Sequence, residues 1–232
     1  MYINYKPLAV FLRMIIAMGG TLLLLAALQL FSGEPQLKQL NYYSVIMLLI
    51  TVIYYYVLSF WQINNTKKDK TCLAPWLKGT LMLSAIASCA VTHFLINGNS
   101  IPSWSDNFVN DTVTYILPVV LFVDWLLFDK KGNFKLFFPF IWFIPAVLYT
   151  VYVYVAVLVL DKQMNFFAKY PYPFDDVYPY PFFDIATNGT VTTVATLLML
   201  AVGFIALGFV LFLLDMLPVR FRTFVESKKS SE

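Results

Sequence analysis

The chain has 232 residues, of which 60% are hydrophobic and only 12% are charged, and its mean hydropathy is +0.72. This composition excludes an ordinary soluble domain. The net charge of +3 is small and its basic residues are spread among short segments, so no nucleic-acid-binding module is predicted.

Six apolar runs are each long enough to cross about 30 Å of hydrocarbon, since a membrane helix needs about 20 residues. In chain order they cover residues 7–31, 40–61, 77–96, 108–128, 136–160 and 190–217. The runs are uniformly apolar and do not alternate with polar residues, which favours helices over a membrane β-barrel. The sequence therefore predicts an all-α integral membrane protein: one domain, residues 1–232, with six transmembrane helices.

Lysine and arginine are concentrated on one side of the predicted membrane. They follow the second, fourth and sixth runs, at Lys67, Lys68, Lys70, Lys78, Lys130, Lys131, Lys135, Arg220, Arg222, Lys228 and Lys229. The other side has only Lys38, Lys162 and Lys169. By the positive-inside rule, both termini and a short basic tail at residues 218–232 are predicted to face the cytoplasm, in the cell membrane.

The longest predicted loop, residues 161–189, contains the segment KYPYPFDDVYPYPFFD. Its four alternating prolines cannot be accommodated in a helix. Its many aromatic rings argue against disorder and suit the membrane interface. We expect an ordered cover on the outer face, with a loop that only rests on the membrane surface as the alternative.

Four polar side chains fall at a similar depth beneath this loop. Ser44, His93, Asp111 and Thr114 all lie in the outer third of their predicted helices. Polar groups within hydrocarbon often mark function, so their shared depth predicts an outer pocket. Each has a simpler explanation, which is helix packing for Ser44 and Thr114, an interfacial position for His93, and a favourable helix N-terminus for Asp111.

One face of the fourth helix extends this predicted pocket. Asp111, Thr114, Tyr115 and Pro118 are spaced i, i+3, i+4 and i+7. Pro118 cannot donate to the carbonyl of Thr114, so a kink with a free carbonyl is expected. The lining of the pocket is predicted to include Thr114, Tyr115 and Pro118, together with four loop residues: Tyr178, Tyr180, Phe182 and Asp184.

The remaining polar residues suggest structural roles. With one histidine and two separated cysteines, the sequence predicts no metal site, and it predicts no cofactor. Arg13 is expected to extend toward the inner headgroups. Asp124 is expected to form a salt bridge with Lys130 or Lys131.

Two strings, ILPVVLFVDWLLFDKKG and YPYPFFDIATNG, resemble the androgen-induced-protein family of six-helix membrane proteins and its bacterial relatives. The matching positions are Pro118, residues 124–128, residues 178–182, Asp184 and Gly189. Eukaryotic members hydrolyse fatty acid esters of hydroxy fatty acids with an intramembrane threonine and a histidine. The resemblance implies that Ser44 occupies the threonine position, whereas Val113 or Thr114 stands where the histidine is expected.

These observations leave two hypotheses. The missing histidine favours a non-catalytic bundle that binds membrane lipids in an outer pocket or docks a partner protein on its aromatic loop. The alternative is an intramembrane serine hydrolase of lipid esters, in which Ser44 attacks and His93 or Asp111 accepts the proton.

Overall fold

The computed structural model describes residue 3 and residues 5–33, 35–65, 71–98, 108–159 and 178–229. For residues 158–159 and 221–229 it describes the backbone alone. Six long helices account for most of these residues, and the described part of the chain has no β-strand. The helices are α1 (Lys6–Ala27), α2 (Tyr43–Asn64), α3 (Pro75–Ile96), α4 (Phe108–Phe128), α5 (Phe138–Val157) and α6 (Thr190–Lys229).

Each helix is long and apolar enough to cross a membrane. The prediction of an all-helical chain with six potential spans is therefore confirmed. The last helix is longer than expected, because α6 continues past residue 217 to Lys229 with Pro218 inside it. Hydropathy marks where apolar residues stop, but a helix ends only where its backbone hydrogen bonds stop.

Ile3 and the second half of α6 lie at the same end of the bundle. There the backbone N–H of Ile3 donates to the carbonyl of Leu127, at the end of α4, over 2.7 Å. We call this end the termini end. The opposite end contains the cavity described below, and we call it the cavity end. The sequence predicts that the termini end is cytoplasmic.

Helix α3 lies at the centre of the bundle and packs against α2, α4, α5 and α6, while α1 packs mainly on α2. Glycine allows one of these close approaches. A Cβ atom at Gly79 of α3 would lie 2.4 Å from the ring of Trp142 of α5, which is fully buried. Small residues at helix contacts let membrane helices approach in this way.

Three helices change to π geometry at the cavity end. The π turns are Thr92–Ile96 in α3, Thr112–Ile116 in α4 and Val155–Val159 at the end of α5. In α4 the turn immediately precedes Pro118, and the N–H of Leu117 donates to the carbonyl of Thr112. A wider turn is a feature often found at functional sites, while the kink with a free carbonyl at Thr114 stays a prediction.

The second half of the aromatic loop packs onto the cavity end, whereas the first Tyr-Pro copy lies outside the described residues. A short 3₁₀ turn, Pro181–Phe183, is followed by one helical turn, Ile185–Asn188. The carboxylate of Asp184 caps this turn by accepting from Thr187 and from the backbone N–H of Ala186. These hydrogen bonds lower the pKa of Asp184.

Candidate functional site

A large cavity lies at the cavity end, among all six helices and the segment Pro179–Phe183. Its volume is about 1210 Å³. Most of its wall is apolar, with contributions from residues such as Phe143, Val147, Leu197 and Phe204. The cavity therefore offers a mainly hydrophobic space with a limited number of polar groups.

Ser44 and Thr114, two of the sequence-predicted site residues, lie in the wall of this cavity. Thr114 is buried, while Ser44 is partly exposed and hydrogen-bonded through its hydroxyl to the hydroxyl of Tyr180. Tyr180 and Phe182 also line the cavity, with their rings stacked at a centroid distance of 5.4 Å. Burial raises the pKa of Tyr180, although the hydrogen bond from Ser44 opposes that effect, so this phenol stays neutral.

His93 and Asp111 do not line the cavity. Nδ1 of His93 lies 3.4 Å from the hydroxyl of Tyr115, which also receives a hydrogen bond from Asn97. Asp111 is 4% exposed, and its Oδ2 has no hydrogen-bond partner among the described residues. The structure thus places the hydrogen bonds of Ser44 and His93 on two different tyrosines, Tyr180 and Tyr115.

Four residues predicted to line the pocket lie outside the cavity wall. Tyr115 contacts His93 instead, and Pro118 is buried in the bundle. Tyr178 packs edge-on against Tyr154 at 6.3 Å, and Asp184 is used as a helix cap. Helical spacing grouped Tyr115 and Pro118 with Thr114, but the π turn changes the angle between successive residues and separates them.

Among the tyrosines of the cavity wall that the sequence does not single out are Tyr43 and Tyr149. Tyr43 donates to Oγ of Ser84 over 2.9 Å, and its ring lies 5.2 Å from that of Tyr149. The hydroxyl of Tyr149 is buried and has no hydrogen-bond partner among the described residues. Tyr43 lies near the start of the second apolar run, a position that interfacial aromatics share, and Tyr149 lies in the middle of the fifth run, so neither position distinguishes them.

A second polar cluster lies at the termini end and consists of four buried charged residues: Arg13, Lys78, Asp124 and Asp129. Arg13 pairs with Asp124 at 2.9 Å and with Asp129 at 2.6 Å. Lys78 also pairs with both, contacting Asp129 at 2.6 Å. The four side chains form a closed ring with no net charge, which we call the charge ring.

The charge ring corrects two expectations. Arg13 does not extend to the headgroups, because it is fully buried and paired with residues more than 100 positions away in sequence. Asp124 pairs with Arg13 and Lys78, whereas Lys131 donates to the carbonyl of Trp125. Removing the guanidinium of Arg13 from water costs free energy, and the two acidic partners inside the bundle offset that cost. Arg13 therefore does not need to reach the headgroups.

Neighbouring polar groups complete the charge ring. The hydroxyl of Tyr55 donates to Asp124 over 2.9 Å. Arg13 and Gln62 both donate to the carbonyl of Thr71, each over 2.9 Å. Burial raises the pKa of the adjacent Cys72 thiol to about 11, so this cysteine remains protonated at neutral pH. The ring links α1, α2, α3 and α4, and we interpret it as a structural connection.

A further polar contact at the termini end anchors α6. The carboxylate of Asp215 in α6 accepts hydrogen bonds from the backbone N–H groups of Gly132 and Phe134, over 2.9 and 2.8 Å. These residues lie between α4 and α5. Asp215 thus anchors α6 to the short connection between its neighbours.

Comparison with protein-family models, with curated proteins and with solved structures found no match for this chain. The resemblance to the androgen-induced-protein family therefore stays a prediction from the two sequence strings. The function has to be argued from the geometry of the cavity itself.

Proposed function

We propose that this chain is a multi-pass membrane protein that binds the acyl part of a membrane lipid in the cavity, without catalysis. The observation that carries the proposal is a cavity of about 1210 Å³ with a mainly apolar wall. Typical small-molecule pockets measure about 300–1,000 Å³, so this space suits a long flexible chain.

The position of the loop supports lipid binding over docking of a partner protein. The rings of Tyr180 and Phe183 pack inward, against Tyr149 of α5, at centroid distances of 6.4 Å. Phe183 is 3% exposed, so its ring is not presented to a partner. The described part of the loop closes one side of the cavity, as a cover for a bound lipid would.

A matched pair of substitutions tests this proposal. Val147→Trp fills space in the cavity wall, whereas Val119→Trp adds the same bulk to an exposed position outside it. Lipids extracted from the purified protein are identified by mass spectrometry. We expect a stoichiometric lipid in the wild type and in Val119→Trp, and its loss in Val147→Trp. Retention of the same lipid by both variants would place the binding site elsewhere.

Hydrolysis of a lipid ester is the second candidate, because Ser44 lies in the cavity wall. A serine nucleophile needs a nearby base. Among the described residues, the wall has no histidine, carboxylate or amine, and the hydrogen-bond partner of the Ser44 hydroxyl is a neutral phenol. The geometry therefore favours binding.

Labelling with a fluorophosphonate separates the two candidates. We expect no adduct that depends on Ser44 in the folded protein, because nothing in the described wall removes its proton. The matched comparison is Ser44→Ala against Thr150→Ala, which removes a hydroxyl from another cavity residue. An adduct on the wild type and on Thr150→Ala that disappears in Ser44→Ala would establish hydrolase chemistry.

A further inference from the structure

The described wall of the cavity contains no charged side chain. Its polar members are serine, threonine, tyrosine, asparagine and glutamine residues, which carry uncharged hydroxyl and amide groups. An ionised group buried in an apolar space is costly unless it is paired. The cavity therefore has no described partner for a phosphate or a carboxylate.

Besides cationic side chains, the backbone N–H groups at helix N-termini commonly bind anions. At the start of α2, beside Ser44, these N–H groups already have partners within the protein. The backbone N–H of Ser44 is hydrogen-bonded to the hydroxyl of Tyr180. The next two N–H groups, of Val45 and Ile46, donate to the carbonyl of Tyr42. The start of α2 thus offers little to a negatively charged head group.

Among the described residues of the wall, one buried donor is unpaired, namely the hydroxyl of Tyr149. Tyr149 is 8% exposed, and its hydroxyl makes no hydrogen bond in the described part of the chain. The backbone N–H of Tyr43 approaches the phenolic oxygen, but an N–H is also a donor and cannot receive the phenolic proton. Buried polar groups are normally paired, so an unpaired phenol in a cavity wall points to an acceptor supplied by a ligand.

We propose that the cavity is selective for an uncharged amphiphile whose carbonyl, ester or ether oxygen accepts a hydrogen bond from Tyr149. This inference rests on the proposed lipid-binding function and adds the chemical class of the lipid. A free fatty acid in its ionised form and an anionic phospholipid are excluded as preferred ligands. The aromatic rings of Tyr43 and Tyr180 pack against that of Tyr149, at centroid distances of 5.2 and 6.4 Å.

The test compares head groups on the same acyl chain. Delipidated full-length protein in detergent at pH 8 is mixed with equal concentrations of monoolein, oleate and dioleoyl phosphatidylglycerol, and the adducts are quantified by native mass spectrometry. We expect monoolein to bind at least about tenfold more tightly than the two anions, a difference large enough to be measured directly.

Variants assign the selectivity to the cavity. Tyr149→Phe removes a hydroxyl that donates no hydrogen bond to the described residues, so it should fold normally, and it should weaken monoolein binding about two- to tenfold, the range for one neutral hydrogen bond. The control is Tyr152→Phe on the same helix, whose hydroxyl donates to Asn41 and does not line the cavity. It should bind monoolein like the wild type.

The outcomes separate the inference from the proposed function. Oleate or phosphatidylglycerol binding as tightly as monoolein, with Val147→Trp abolishing both, would overturn the neutral-ligand inference and leave lipid binding intact. Unchanged monoolein binding in Tyr149→Phe would overturn the role of that hydroxyl. Binding that Val147→Trp does not affect for any of the three lipids would overturn lipid binding in the cavity itself.

Discussion

The two ends of the helix bundle both bury polar side chains, but they satisfy them in different ways. At the termini end, Arg13 and Lys78 each pair with both Asp124 and Asp129. At the cavity end, the polar groups of the described wall are uncharged, and the hydroxyl of Tyr149 has no described partner. The comparison teaches that polarity at one end connects helices, while the described polar groups at the other end are uncharged and include an unpaired hydroxyl.

The charge ring should respond most strongly to substitution. Asp124→Asn leaves Arg13 and Lys78 sharing the single carboxylate of Asp129, so one buried positive charge is no longer balanced. Removing one partner from a buried ion pair typically costs about 3–5 kcal/mol of the free energy of unfolding. We expect a large fall in the apparent melting temperature, measured in detergent by size-exclusion chromatography after heating.

Two controls sharpen this result. Asp184→Asn makes the same change at an exposed cap, where asparagine is also a good capping residue, and should change the melting temperature little. The double variant Asp124→Asn/Lys78→Met restores charge balance and should lose less stability than the two single variants together. Additive losses would contradict the existence of a coupled ring.

Replacing a tyrosine by phenylalanine at each end should give effects of intermediate size and allows the two ends to be compared directly. Tyr55→Phe removes a hydrogen bond to the carboxylate of Asp124, and hydrogen bonds to charged groups contribute about 1.5–3 kcal/mol. Tyr149→Phe removes a hydroxyl with no described partner and should change the free energy of unfolding by less than about 0.5 kcal/mol. Equal losses in the two variants, measured on delipidated protein, would show that both ends are satisfied internally.

The smallest expected effect is a pH dependence at the termini end. Burial lowers the pKa of Lys131 from 10.5 to about 8, while its ammonium lies 3.2 Å from the ring centroid of Trp125. As the pH rises from about 8 to 10.5, the folded protein loses this proton before the unfolded chain does. The free energy of unfolding should therefore rise across that window, by less than about 1 kcal/mol because Lys131 is partly exposed.

The measurement is the difference in melting temperature between wild type and Lys131→Met at pH 7, 8, 9 and 10. Titrations shared by both proteins cancel in this difference. The difference should move in favour of the wild type above pH 8 and stay constant below it. A constant difference over the whole range would show that Lys131 titrates with its ordinary pKa.

The six helices could be predicted from the sequence because membrane spans are encoded locally, in runs of about 20 apolar residues. The predicted start and end of the fourth run, residues 108–128, coincide with those of α4. The positions of Ser44 and Thr114 in one cavity also follow from local information, because both lie near helix ends that meet at the cavity end. Depth along a helix is readable from the sequence.

The sequence prediction does not include the charge ring, because it compares depth in the membrane only among polar residues near the cavity end. Lys78 lies three residues after the start of α3, and Asp124 lies four before the end of α4, so both are near the termini end. Lys78 was instead counted as a loop residue, and Arg13 was assigned to the headgroups. The direction in which each side chain points depends on helix rotation, which is set by packing between distant parts of the chain.

The π turns carry a consequence for homologous sequences. A π turn contains one residue more than the α turn it replaces, so deleting one residue from Thr92–Ile96 or Thr112–Ile116 would restore regular winding. The deletion would remove one residue at the cavity end and leave the flanking parts of the helix in the same orientation, because the extra residue of a π turn is taken up within that turn. Relatives aligned to this chain should therefore carry single-residue gaps at these positions if they have reshaped the cavity, and none if they have kept it.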